Sequence, residues 1–296
     1  MAFLLLHIVM ISGFGLILKY AQNRNYRLNP IGFMNYLTAF LISAASAVQG
    51  DGYGFTKLTF GLGLTNGIAY AVGFELVTLG MRLSGVVVTI AVVRLSLVVP
   101  ILFAILFWNE TPNFWQGIGI VLACCALPLL GTRTKRAPVL QTSSAVAIQN
   151  KAVSGTGLGL LVVAMLFVNS GISRLSMKAF NEMCPIDEKP MYLFFLFGAT
   201  TVAYAGVCLR QKTMPTVRES IYGMLIGICN IGGSWAFLKA LDSVEALIAF
   251  PVSGSGGVLF TMMMGILFLG ERLNRKSLVG VIATALALVF VNLRGE

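Results

Sequence analysis

Charged residues are scarce in this sequence of 296 residues. Only 11% are Asp, Glu, Lys or Arg, whereas a soluble globular protein carries about 25%, so there is too little charge to cover a water-facing surface. Histidine occurs once, as His7, and the five cysteines form no Cys-x-x-Cys pair, which predicts neither a metal site nor a cofactor. A Walker-type phosphate loop is also lacking, and this argues against an ATP-driven pump.

Long apolar runs fill most of the sequence, in which 57% of the residues are hydrophobic. Runs of about 18 to 25 residues recur from end to end, and each is long enough to cross roughly 30 Å of hydrocarbon as a helix. The net charge of +10 lies in short clusters between these runs, which is typical of topology determinants and not of a nucleic-acid surface. We predict ten spans, at residues 2–20, 30–49, 57–80, 84–108, 114–131, 154–173, 190–209, 220–241, 244–270 and 276–294.

Two similar segments indicate an internal repeat. In "FWNETPNFWQGIGI", Glu110 precedes Gly119 by nine residues, and in "FLGERLNRKSLVGV", Glu271 precedes Gly280 by the same nine. A carboxylate just beyond one helix is stabilised near the amino end of the next, where backbone N–H groups are free. We therefore interpret both glutamates as markers of equivalent turns, and substrate contact as the alternative.

The repeat predicts three parts of the chain: a first repeat at 1–131, a basic linker at 132–153 and a second repeat at 154–296. The Gly-rich segments that open the third and eighth spans also correspond, each around a mid-span asparagine, Asn66 and Asn230. Because each repeat has five spans, an odd number, the second enters the membrane from the opposite side. The predicted fold is all-α, with ten transmembrane helices as two inverted five-helix repeats.

The last two spans of each repeat, residues 91–131 and 251–293, resemble the drug/metabolite transporter superfamily, specifically its ten-helix EamA-type members. The shared pattern is a long helix that ends in glutamate, a short turn, and a helix with glycine near its start. The resemblance implies a central cavity lined mostly by the first four helices of each half, transport of a small molecule, and export. It also implies cytoplasmic termini, whereas most Lys and Arg residues follow odd-numbered spans, a bias that places both termini outside.

Polar groups at mid-membrane are the candidates for a transport site, because they are costly in lipid and usually face a cavity or a partner. Arg94 lies near the middle of the fourth span and needs an anion close by, and Glu75 in the third span is within reach. The pair is a structural ion pair between adjacent helices, a substrate-carboxylate anchor, or a proton-coupled switch in which protonation of a buried Glu75 frees Arg94. Further substrate-binding candidates, for which interhelical hydrogen bonding is the alternative, are Asn66, Tyr70, Ser96, Asn169, Asn230, Trp235, Ser253 and Ser255.

Proline and glycine predict a broken helix in the ninth span. Proline removes a backbone donor and glycine weakens a helix, so the freed groups need protein, water or substrate. Close helix packing through small residues is the alternative. The residues concerned are Pro251, Gly254, Gly256 and Gly257, with Pro100 at the corresponding place in the first repeat.

Taken together, these features favour a secondary-active transporter of a small metabolite or amphipathic compound, embedded in the lipid bilayer of the cell membrane and working by alternating access. A membrane-embedded enzyme acting on lipid and a non-transporting scaffold are the alternatives. The sequence has no HExxH and no GxSxG motif, and Ser253 and Ser255 have no visible base, so we predict that the protein is not an enzyme.

Overall fold

A computed structural model describes residues 1–49, 54–84, 89, 92–93, 95–115, 117–119, 121–122, 157–269, 279, 282–283, 286 and 290. This part of the chain is helical and contains no strand. Its continuous helices are α1 (Ala2–Asn23), α2 (Leu28–Gln49), α3 (Lys57–Leu83), α4 (Val98–Phe107), α5 (Gly157–Met183), α6 (Lys189–Arg210), α7 (Val217–Leu241) and α8 (Ala246–Leu269), with a short 3-10 turn at Ile186–Glu188.

Five of the described segments are apolar and long enough to cross a membrane. Three shorter apolar helices lie before, between and after them. These lengths indicate a multi-pass membrane protein, and the arrangement of ten helices as inverted repeats stays a prediction. The five segments are Leu28–Val48, Lys57–Val77, Leu158–Met183, Ile186–Arg210 and Val217–Leu241.

The sixth predicted span was too short at its C-terminal end. It was predicted to end at residue 173, but α5 continues to Met183 and includes Arg174 and Lys178. Lys178 is only 2% exposed and pairs with Glu182, one turn further along the same helix. A long cationic side chain is tolerated inside such a helix when its charged group reaches a polar partner, and basic residues are therefore a poor marker of helix ends here.

The predicted helix break at Pro251 is wrong, because α8 is continuous through Pro251 and the glycines at 254, 256 and 257. Pro251 is the sixth residue of α8, so only one helical hydrogen bond is missing, and the Ser255 hydroxyl donates to the Pro251 carbonyl. Gly254 lies so close to Leu97 that an added Cβ would be 2.6 Å from the Leu97 Cδ1 atom. Close packing, the alternative interpretation, accounts for this glycine.

An interruption does occur before Pro100, which is the third residue of α4. Ser96 and Leu97 form a turn between helical residues 92–95 and α4, with residue 94 outside the description. Proline lacks the N–H that would bond to the carbonyl four residues earlier, at Ser96, and its ring clashes with that carbonyl. The interruption therefore lies one turn before the proline.

The chain divides into two compact units. Unit 1 contains residues 1–72 and 172–249, and unit 2 contains residues 73–171 and 250–296. Each unit therefore draws on both predicted repeats. Within unit 2, Gly171 of α5 lies against the side chain of Val99 in α4.

Within unit 1, helices α1, α2 and α7 form a closely packed group, here called the α7 bundle. α7 packs against both α1 and α2. Its residues Gly223 and Gly227 face α2, where an added Cβ would lie 2.9 Å from the carbonyl oxygen of Ile31 and 2.6 Å from that of Asn35. Glycine alone allows two helix backbones to approach this closely.

The second group of unit 1, here called the α6 bundle, has the same arrangement. It contains residues 57–72 of α3, residues 172–183 of α5, and α6. Gly63 and Gly67 of α3 face α6, and a Cβ on Gly67 would lie 2.4 Å from the carbonyl oxygen of Leu196.

A constant shift along the sequence relates the two bundles. The glycines of α3 precede those of α7 by 160 residues, and the residues that they contact on α2 and α6 differ by 161. Glu110 and Glu271 are also separated by 161 residues. The corresponding contacts are Gly63 with Tyr192 and Gly223 with Ile31, then Gly67 with Leu196 and Gly227 with Asn35.

Candidate functional site

A network of polar side chains joins α3, α5 and α6 inside the α6 bundle. Asn66 is 0% exposed; its Nδ2 donates to the Tyr192 hydroxyl at 2.7 Å, and its Oδ1 accepts from the Ser173 hydroxyl at 2.7 Å. The Ser176 hydroxyl donates to the Leu62 carbonyl at 2.8 Å and lies 3.3 Å from the Tyr192 hydroxyl. One amide therefore connects three helices.

The local sequence explains why these groups meet. Asn66 lies between Gly63 and Gly67, which bring the α3 backbone against α6, so the short amide side chain reaches the Tyr192 hydroxyl. The Tyr192 ring is fixed by stacking on Phe180, with ring centroids 4.3 Å apart. A buried network whose members are bonded in this way favours a single arrangement of the helices.

A second set of polar groups adjoins this network, one turn further along α3. Tyr70 is hydrogen-bonded to Ser234 of α7, and the positive charge of Arg174 in α5 acts on it electrostatically. Tyr70, Ser173 and Arg174 are half-buried, whereas the other members are buried. We call the whole set the polar cluster: Asn66, Tyr70, Ser173, Arg174, Ser176, Tyr192 and Ser234.

Two predicted site residues of α7 contact side chains of α2 and α1. Asn230 donates through Nδ2 to Oδ1 of Asn35 in α2 at 3.1 Å, and both side chains are buried. Trp235 is 38% exposed and packs edge-on against Phe3, with ring centroids 5.6 Å apart. For Asn230 the structure therefore gives an interhelical hydrogen bond.

Glu75 is exposed on α3, so the expected burial of this carboxylate is wrong, while its role in proton coupling stays a prediction. It follows Tyr70 by five residues, and at about 100° per residue this turns it roughly 140° away around the helix. Arg94 lies outside the described residues, and the predicted pairing of Glu75 with Arg94 stays a prediction.

The serine and asparagine candidates of unit 2 are held by local contacts. Ser96 is buried and donates to the Val93 carbonyl at 2.7 Å. Asn169 is half-buried, and its Nδ2 would lie 2.9 Å from a Cβ on Gly73. Ser255 is buried against its own helix, and Ser253 is half-buried.

The structure describes the predicted turn at Glu110 but not the one at Glu271. After α4 ends, Asn109 adopts a left-handed backbone with φ 51°, and the backbone N–H of Glu110 donates to the Ala104 carbonyl at 3.2 Å. Gly119 is helical and buried. Glu271 and Gly280 lie outside the described residues.

Five members of the polar cluster did not emerge as candidates from the sequence: Ser173, Arg174, Ser176, Tyr192 and Ser234. Ser173 and Ser176 are three residues apart and share one face of a helix. Because the predicted span ended at residue 173, Ser176 was placed outside the membrane. With the helix extended to Met183, the two serines on one face of an apolar helix would have been recognised as candidates.

No protein-family model matches the sequence. The chain is 25% identical over 233 residues to the probable glucose uptake protein GlcU of Priestia megaterium, which covers 77% of this chain and 76% of that protein. It is 30% identical over 76 residues to the spermidine export protein MdtI of Klebsiella pneumoniae, which covers 26% of this chain and 70% of that one. A solved crystal structure matches 98% of this chain and 95% of its own with a TM-score of 0.73 at 9% identity, a likeness of fold alone.

Proposed function

We propose that this chain, a homologue of membrane transport proteins, is a secondary-active transporter of a small polar metabolite that works by alternating access. The polar cluster of unit 1 carries the proposal. Polar groups inside membrane helices are costly and mark substrate pathways. Three members of the cluster, Tyr70, Ser173 and Arg174, are partly exposed, so a solute can contact them.

The chemistry of the cluster favours an uncharged solute rich in hydroxyl groups. The Asn66 amide and the Ser and Tyr hydroxyls both donate and accept hydrogen bonds, so they can replace the water around such a solute, and a guanidinium donates to several oxygens at once. A polycation such as spermidine would be repelled by Arg174. Glucose, in the name of the relative aligned along most of its length, carries only neutral hydroxyls.

The finer assignment to the EamA-type transporters, with two inverted repeats, is part of this proposal. The equivalent glycine contacts of the α6 and α7 bundles support it, because a shift of 160 to 161 residues along the chain relates one to the other. The family resemblance favours export, whereas the similarity to an uptake protein favours import. The direction of transport therefore has to be measured.

Counterflow into liposomes tests the proposal. Purified protein is reconstituted, the vesicles are loaded with unlabelled sugar, and entry of labelled glucose is compared with entry of labelled spermidine. We expect sugar counterflow that falls at least tenfold in Asn66→Ala, with the purified variant still monodisperse. Ser46→Ala removes an exposed hydroxyl on α2 and should leave the flux unchanged. Absence of counterflow for every solute class tried, in a folded protein, would overturn the proposal.

Proton coupling through Glu75 is a separate hypothesis within the proposal. If it holds, an imposed pH gradient drives accumulation of substrate in the wild type, and Glu75→Gln abolishes this dependence but keeps counterflow. If the pH gradient drives the same accumulation of substrate in Glu75→Gln as in the wild type, Glu75 is not the residue that couples transport to protons. Glu110→Gln, at a described turn, is the matched control.

A further inference from the structure

The two bundles of unit 1 are each fastened by polar bonds at one end. In the α7 bundle, Arg27 lies just before α2 and donates through Nε and Nη2 to Glu219 of α7, at 3.0 and 2.8 Å. The same carboxylate closes a capping box with Thr216, and it raises the pKa of Arg27. Bidentate, charge-assisted bonds of this kind are strong.

In the α6 bundle the equivalent position holds the opposite charge. Glu188 lies just before α6 and accepts from the backbone N–H and the hydroxyl of Thr56, both at 3.0 Å, and from the hydroxyl of Thr59. Thr56 and Thr59 precede Thr216 and Glu219 of the α7 bundle by 160 residues, and Glu188 follows Arg27 by 161. Both fastenings place a carboxylate at helix N-termini, where the helix dipole favours negative charge.

Aromatic rings contribute to the contacts between the bundles. α2 packs against α6, partly through aromatic rings. The ring centroids of Tyr36 and Tyr204 lie 4.9 Å apart, and those of Phe40 and Phe194 lie 5.1 Å apart. Apolar ring surfaces have few directional bonds to break when they slide. The Tyr70–Ser234 hydrogen bond crosses from one bundle to the other within the polar cluster.

One ion pair between the bundles is placed against the helix dipoles. Lys189, the first residue of α6, pairs with Asp242, the C-cap of α7. A cation is disfavoured at a helix N-terminus and an anion at a helix C-terminus, so neither residue stabilises its own helix end. Lys189 is nevertheless only 2% exposed. Beside the pair, Asn181 of α5 donates to the Leu241 carbonyl at 3.1 Å.

We infer that the Lys189–Asp242 pair is a gate that closes one membrane face of unit 1 by tying the α6 bundle to the α7 bundle. The inference rests on the proposed function. At the other end of the same helices, the bundles are joined by an exposed bond from Asn29 to Gln211. In the cycle, the buried pair separates to admit solute at its own face, while the exposed contact between Asn29 and Gln211 tightens and keeps the opposite face closed.

Hydrogen–deuterium exchange of the whole protein in liposomes tests the gate without any substrate. Asp242→Asn should raise exchange at residues 184–190 and 241–246 and lower it at residues 24–29 and 211–216. A structural ion pair would raise exchange near itself and leave the far end unchanged. Glu182→Gln removes the charged partner of Lys178 within α5 and should leave exchange at residues 24–29 and 211–216 unchanged.

The charge swap Lys189→Asp with Asp242→Lys rebuilds the pair, and it should restore the exchange of the wild type at both faces. Increased exchange at 184–190 alone would overturn the gate, and so would failure of Asp242→Asn to fold. Exchange is measured without transport. A protein that moves no solute, but in which exchange rises at one face and falls at the other, would therefore refute the proposed substrate and keep the gate.

Discussion

Replacing Gly67 by alanine adds one methyl group at the closest helix contact of the α6 bundle. The new Cβ would lie 2.4 Å from the Leu196 carbonyl oxygen and 2.7 Å from the Ala199 Cβ. The carbonyl is backbone and cannot rotate away, so α3 and α6 must separate. Gly61→Ala is the matched control, because it lies on the same helix and has nothing within 4 Å of an added Cβ.

The magnitude follows from the comparison of these two variants. The gain from replacing glycine by alanine in a helix is the same in both and cancels. The difference between them is the cost of overpacking, about 1–3 kcal/mol. Unfolding by SDS in mixed micelles, followed by circular dichroism, measures it. Gly67→Ala should also reduce counterflow, because separating α3 from α6 moves Asn66 away from Tyr192.

Equal unfolding midpoints for Gly67→Ala and Gly61→Ala would refute the close contact between α3 and α6. The α7 bundle supplies a second pair of variants. Gly227→Ala should cost as much as Gly67→Ala, since its Cβ would lie 2.6 Å from the Asn35 carbonyl oxygen. An added Cβ in Gly232→Ala meets only the flexible Met10 side chain, with the sulfur at 3.5 Å and Cγ at 3.8 Å, and should be tolerated.

Three further outcomes are expected. Asn230→Ala should lower the free energy of unfolding by about 1–3 kcal/mol because it leaves the buried Asn35 amide unpaired; a double-mutant cycle with Asn35→Ala that gives no coupling would contradict this bond. Thr216→Ala should cost about 1 kcal/mol through loss of the capping box, measured by SDS unfolding, whereas Thr65→Ala, which removes an exposed hydroxyl on α3, should not; equal midpoints would contradict the cap. A reporter fused to the C-terminus should be active outside the cytoplasm, as the Lys and Arg distribution predicts, and a cytoplasmic signal would favour the orientation implied by the family resemblance.

Apolar runs predicted the described helices well because length and hydrophobicity determine what can cross a bilayer. Charge misled at Arg174 and Lys178, since the prediction treated them as loop residues and could not see the partners that hold them inside α5. Hydrophobic patterning does not show which polar side chains meet across helices, and so Tyr192 was missed.

The repeat stays a prediction, and the glycine contacts give it a different register from the one that the asparagines suggested. The sequence comparison matched Asn66 with Asn230, whereas the shift of 160 residues shared by the glycines pairs Asn230 with Tyr70. Glycines preserve the register because backbone contact tolerates no side chain. Asparagines are free to move by one turn, since a different partner can satisfy the amide.

The interleaving of unit 1 has a consequence for biosynthesis. α2 is complete at Gln49, but its partners α6 and α7 begin only at Lys189 and Val217, so at about 5–20 residues per second it waits roughly 10 to 30 seconds for them. During that interval Asn35 is already in the membrane, whereas Asn230, its hydrogen-bond partner, has not yet been synthesised. The first two helices therefore keep unpaired polar groups until the second half of the chain has been made.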